Sequence, residues 1–252
     1  MSLFDRIFSN GRKPRVVPKV EEPVAPISSE GTSGAHTVDS GVTPEYASLL
    51  SFTRRFSSLL SLDKYLARSD YNELVSEFAD TFTFFSNLRT ANTLPYYCSE
   101  NGYPLNSVED FLSSYSDISN RKDESSAISS HNEGFLSKHL VSDKHYLDTV
   151  LSKVDPAISL DEEQRKVVLT DEDYMLVVAG AGAGKTTTVA AKVKYLVDRL
   201  GVDPNQILVI SYTNKAVEEL QGKINKALKI DCPVTTFHKT GYAILRKQDA
   251  DK

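Results

Sequence analysis

The segment Ala179-Gly180-Ala181-Gly182-Ala183-Gly184-Lys185-Thr186-Thr187 joins a run of residues with little or no side chain to a basic and hydroxylic end. Without side chains in the way, backbone N–H groups can close around an anion, most readily where a helix begins. A lysine at the end of such a loop reaches the β- and γ-phosphates of a nucleotide, and the adjoining hydroxyl is a ligand for Mg²⁺. The chemistry implied is binding of a nucleoside triphosphate, with Lys185 as the cation on the outer phosphates and Thr186 on the metal. The spacing follows the P-loop, or Walker A, pattern with one departure, Ala179 in the place of the first glycine.

A phosphate cradle of this kind must be seated between a strand and a helix. Met175 to Val178 is apolar and reads as the strand. Behind the loop, Val189, Val193, Leu196, Val197 and Leu200 keep helical spacing, and Gly201 ends that helix. Ahead of it, Leu160 to Val168 reads as a short helix. Ile207 to Ile210 is a continuous apolar run of strand length, as a buried parallel strand requires. A helix from about Lys215 aligns Ala216, Leu220, Ile224 and Leu228, and Pro233 to Thr236 reads as a short third strand before a helix through Tyr242 and Leu245. The alternation predicts an α/β fold, a parallel sheet with helices on both faces that binds ligands at the carboxyl ends of its strands.

The rest of the chain differs in kind. Residues 1–42 combine a short amphipathic start (Leu3, Phe4, Ile7, Phe8) with a Pro-, Ser-, Gly- and Glu-rich stretch that reads as a disordered linker. Thr43-Pro44 is a helix-start signal. Tyr46, Leu49, Leu50, Phe56, Leu59 and Leu60 then share a helical face, and a second helix carries Tyr71, Leu74, Val75, Phe78, Phe82 and Phe85. Residues 96–104 read as a loop, Ser107 caps a short helix through Leu112, and the stretch from Ser113 to Asn132 is polar. Residues 43–155 thus read as a small helical region, Ser-rich and with a weak core. His131, His139 and His145 read as surface residues.

Composition is that of a soluble protein, 40% hydrophobic and 25% charged, and no apolar run approaches bilayer length. Cys98 and Cys232 lack partners at zinc-ligand spacing and read as reduced thiols of a cytoplasmic protein. The net charge is −5, but Lys and Arg nearly balance Asp and Glu from Ser159 onward. Overall acidity therefore does not exclude a basic nucleic-acid cleft.

Three further segments flank the loop in order: Leu160-Asp161-Glu162-Glu163-Gln164, then Ile210-Ser211-Tyr212-Thr213-Asn214-Lys215-Ala216, then Thr235-Thr236-Phe237-His238. With the P-loop they resemble the UvrD/Rep family of superfamily 1 DNA helicases, over residues 156–252, with the helicase IV branch nearest. The resemblance implies a partial RecA-like P-loop NTPase domain over 156–252. It also implies ATP and Mg²⁺ as cofactors, and translocation on single-stranded DNA or a single/double-strand junction with 3′–5′ polarity. Gln164 would then read the adenine edge, to which a carboxamide offers one donor and one acceptor. Tyr212 would stack on a base, Thr213, Asn214 and Lys215 would meet phosphate or ribose, and Thr236 and His238 would form a second strand contact, with Phe237 in the core.

Two departures qualify the match. Thr187 stands where the family often has an arginine against the adenine. No strand after Lys185 ends in the Asp-Glu pair that holds Mg²⁺ and polarises water. The sequence reads as an N-terminal helicase fragment, truncated before Walker B and expected to be inactive in turnover by itself. Two alternatives stay open: a P-loop nucleotide-binding module or small-molecule kinase, which leaves the strand-end segments unexplained, and an inert helicase remnant.

Overall fold

The computed structural model describes residues 42–120 and 126–250, so the amphipathic start and linker, apart from Val42, lie outside the described residues. Contacts divide these residues into two compact units, 42–138 with 170–175, and 139–169 with 176–250.

In the first unit, helix α1, Pro44–Leu60, begins where the Thr-Pro signal places it: the Thr43 hydroxyl accepts from the Tyr46 N–H at 3.4 Å. Its buried face is Tyr46, Leu49, Phe52, Phe56 and Leu59, whereas Leu50 is 40% exposed. The expected second helix is two, α2 (Arg68–Glu77) and α3 (Ala79–Thr90), because Phe78 leaves helical geometry (φ −100°, ψ 12°) and packs its ring edge-on against Phe52 at 5.5 Å. The loop expected at 96–104 is largely helix α4, Leu94–Asn101. Pro95 sits in its first turn and Gly102 ends it in the left-handed region (φ 69°), so the breaker residues mark the ends of this helix and leave its interior intact.

Described residues of the polar stretch from Ser113 are likewise mostly helical. Helices α5 (Leu105–Asn120) and α6 (Ala127–Ser142) bury Tyr115, Ile118 and Ile128, while their serines are half-buried or exposed. The core is therefore stronger than the Ser-rich composition suggests. Phe52 meets Phe56, Phe78, Phe111 and Tyr115 at ring-centroid distances between 5.0 and 6.1 Å. Each buried aromatic contributes roughly 1.5–3 kcal/mol through area alone, with edge-to-face pairing in addition.

Polar groups inside this unit are satisfied. Asn132 brackets Leu66, accepting from its N–H at 2.8 Å and donating to its carbonyl at 3.0 Å. His131 meets the Lys64 carbonyl at 2.9 Å, so this histidine is a structural contact. Ala67 has no side chain to cap α2, and the carboxylates of Glu172 and Asp173 serve instead, accepting from the Arg68 and Ser69 N–H groups at 3.0 and 2.6 Å. Burial pushes the Cys98 thiol upward, and Glu109 adds to it.

The second unit holds α7 (Lys144–Thr149), α8 (Glu162–Leu169), α9 (Lys185–Asp198), β1 (Val209–Ser211), α10 (Asn214–Gln221), β2 (Val234–Thr236) and α11 (Phe237–Ala250). β1 and β2 pair in parallel with Val209 opposite Val234 and Ser211 opposite Thr236. Their crossover is α10, extended by a wider π-type turn over Gly222–Ala227. Val217, Leu220, Ile224 and Leu228 line its buried side. Asn225 fastens the return, donating to the carbonyls of Ile230 and Cys232 at 2.8 and 3.0 Å. Val168 and Leu169 of α8 and Ala190 and Ala191 of α9 are fully buried, and the small alanines allow the two helices to approach closely.

The strand expected at 175–178 does not form. Among the described residues the sheet has two strands, and Leu176 and Val178 are each 89% exposed. A strand apolar on both faces is stabilised between two neighbours inside a sheet, and no described segment lies beside it in that way. The structure is thus a mixed helical protein with a small parallel sheet, compatible with part of an α/β helicase domain. No helix among the described residues is long and apolar enough to cross a membrane.

Candidate functional site

The small-residue loop leads directly into α9, with Gly184 as its N-cap. Gly182 and Gly184 take the left-handed conformation (φ 78° and 72°), which a side-chain-bearing residue adopts only at a cost. A Cβ at Gly180 or Gly182 would meet nothing within 4 Å, so the mouth of the loop is open. At the start of α9 the N–H groups of Lys185, Thr186 and Thr187 have no carbonyl one turn behind them and face the loop end with the helix dipole. The arrangement attracts an anion.

Lys185 is exposed, and its ammonium donates to the carbonyls of Ala179 and Gly180 at 3.0 and 2.7 Å. It therefore lies across its own loop, within a side-chain rotation of any anion held there. Thr186 is half-buried in the first helical turn. Among the described residues no cluster of three His, Cys, Asp or Glu side chains could hold a metal. No Asp-Glu pair ends β1 or β2, and Glu218 and Glu219 lie on α10.

Gln164 lies against the loop. Its carboxamide nitrogen donates to the Ala183 carbonyl at 3.2 Å, while its oxygen accepts from the Asp161 N–H at 3.1 Å. Asp161 returns the contact, accepting from the Gln164 N–H at 2.8 Å. The pair is a reciprocal capping box at the start of α8. The Asp-x-x-Gln spacing carried that signal in the sequence, but reading Gln164 as an adenine contact left it unused. A residue found only in the structure is Lys223, whose ammonium meets the Thr187 hydroxyl at 3.3 Å and the Glu219 carboxylate at 2.9 Å. No sequence pattern announces it, because the π-type turn sets its reach.

The strand-end residues form a second group. Tyr212, just past β1, is 82% exposed, so it belongs to no core. Its ring lies 6.5 Å from that of His238 at 59°, and this brings the two expected strand-contact segments together. Asn214 and Lys215 are exposed in the first turn of α10, and the Thr213 hydroxyl caps that helix, accepting from the Ala216 N–H at 3.2 Å. Thr236 is buried, and its hydroxyl accepts from the Lys239 N–H at 3.3 Å, which holds the turn presenting His238. Phe237, expected in the core, is 69% exposed instead. It follows the last residue of β2 at the open end of a two-stranded sheet, where the described residues offer no second layer.

Comparison with known proteins bears on the same segment. Residues 160–252 match the family model described as UvrD/REP helicase N-terminal domain. The ATP-dependent DNA helicase PcrA of Staphylococcus epidermidis is 37% identical over 97 residues, and that of Staphylococcus aureus is 38% identical over 96. Each match takes in 37% of this chain and 13% of the relative's length.

Proposed function

We propose that residues 160–252, a UvrD/Rep-family helicase segment, bind MgATP and single-stranded DNA as part of an ATP-dependent DNA helicase or translocase. The observation that carries this reading is the glycine loop at the start of α9, with Lys185 across it and the Gln164 carboxamide against it. ATP phosphates would lie in the loop, with Lys185 neutralising the outer charges and the Thr186 hydroxyl on Mg²⁺. The metal would supply charge neutralisation at the β- and γ-oxygens.

On the DNA side, the Tyr212 ring offers a stacking platform that tolerates any base, and His238 lies beside it. Thr213, Asn214 and Lys215 would follow the backbone, and Thr236 would act by holding the turn before His238. The 3′–5′ polarity belongs to this proposal as the family's habit. Tyr212→Ala is expected to weaken binding of a fluorescent oligothymidylate by about 1–3 kcal/mol with its salt slope unchanged, since stacking releases no counterions. Lys215→Ala is expected to lower the slope. Fluorescence anisotropy across a salt series separates the two, and unchanged affinity for Tyr212→Ala would remove Tyr212 from the interface.

One observation favours the second reading, a helicase segment without turnover of its own. The apolar residues 176–178 lie exposed beside the phosphate loop, and no acidic strand end faces it among the described residues. The 252-residue chain is therefore expected to bind nucleotide without hydrolysing it. Steady phosphate release by the purified chain would argue for a complete small NTPase.

A further inference from the structure

We infer that Gln164 is a positioning residue for the phosphate loop, acting through the Ala183–Gly184 peptide whether or not a base is bound. The inference rests on the phosphate-loop reading above. In a planar trans peptide the carbonyl and the following N–H point in opposite directions. A donor that holds the Ala183 carbonyl on the Gln164 side therefore turns the Gly184 N–H away from Gln164. That N–H is the last one before α9, and fixing its direction prepares a phosphate donor before the ligand arrives.

The holding is itself fixed. The Gln164 oxygen is tied to the Asp161 N–H, and the Gln164 N–H to the Asp161 carboxylate, so the carboxamide cannot turn over without breaking the capping box. Gly184 completes the device. A Cβ there would come within 2.7 Å of the Gln164 amide nitrogen, and its left-handed φ of 72° is one that glycine adopts freely. Residue 184 is thus glycine for Gln164 as well as for the phosphate.

A purely adenine-reading Gln164 and a loop-positioning one differ toward a ligand with no base. Inorganic tripolyphosphate with Mg²⁺, titrated calorimetrically into the 252-residue chain, is the probe. Gln164→Ala is expected to weaken its binding about fivefold, as loss of one hydrogen bond predicts. Asp161→Ala, which touches no ligand, is expected to do the same, and Asp161→Asn, a good capping residue, to restore it. Circular dichroism melts check that each variant is folded, and the Asp161 pair keeps the test open should Gln164→Ala lose structure.

Tripolyphosphate affinity left intact by Gln164→Ala while ATP affinity falls would overturn the inference and leave Gln164 a base reader only. Asp161→Ala without effect would overturn it as well. A wild-type chain that fails to bind tripolyphosphate would instead overturn the phosphate-loop reading.

Discussion

Replacing Lys185 with Ala is expected to lower Mg²⁺-dependent ATP turnover by about 10²–10³-fold in any polypeptide in which this segment hydrolyses ATP, the range found when one preorganised charge donor is lost. The ammonium now rests on two neutral carbonyls, Ala179 and Gly180. A triphosphate carries several negative charges, so it outcompetes those carbonyls for the lysine, and no other described side chain meets the loop with a positive charge except Lys223 at Thr187. The effect should fall on binding and chemistry alone. Lys185 is exposed and its two hydrogen bonds are to solvent-accessible carbonyls, so the melting temperature should scarcely move. Isothermal titration with tripolyphosphate, alongside a thermal melt, separates the two effects. Turnover within a few-fold of wild type would remove Lys185 from the phosphate site.

Much of this site was legible because the chemistry is local in sequence. Small residues, a lysine and a threonine at fixed spacing specify a loop whatever surrounds it, and the loop, the following helix and the Gly184 turn stand where those residues place them. β1 was legible for a similar reason, since its apolar run is short and bounded by turn residues. The segment 175–178 has the same composition and yet stays unpaired. Strand formation depends on neighbours that composition does not name. Lys223 illustrates the other limit. Its contact with Thr187 spans 36 positions and depends on a local widening of a helix, for which no residue pattern stands.

The helical unit misled in the opposite direction. Counting serines and breakers suggested a loop at 96–104 and a weak core beyond it, but polar residues on one face of a helix are compatible with a buried opposite face. Tyr115 and Ile118 form such a face in α5, and Cys98 and Leu94 do so in α4. The stability of the unit therefore depends on a few rings and little on average hydrophobicity.

Phe52→Ala is accordingly expected to destabilise the helical unit by about 3–5 kcal/mol, the range for removing a buried aromatic ring. Phe52 is 1% exposed and touches four other rings, so the cavity left behind would be walled by Phe56, Phe78, Phe111 and Tyr115, which cannot all close inward. Leu50, two positions earlier on the same helix, is 40% exposed, and Leu50→Ala is expected to cost less than about 1 kcal/mol. Urea unfolding of the two variants measures the difference. A loss of several kcal/mol sits within the whole stability of an ordinary domain, so the Phe52 variant should begin to unfold at low denaturant. Under conditions where it stays folded, its affinity for tripolyphosphate should equal that of wild type, because the loop contacts come from Asp161, Gln164, the loop itself, the first turn of α9 and Lys223. Equal midpoints for the Phe52 and Leu50 variants would mean that the aromatic cluster does not hold this unit together.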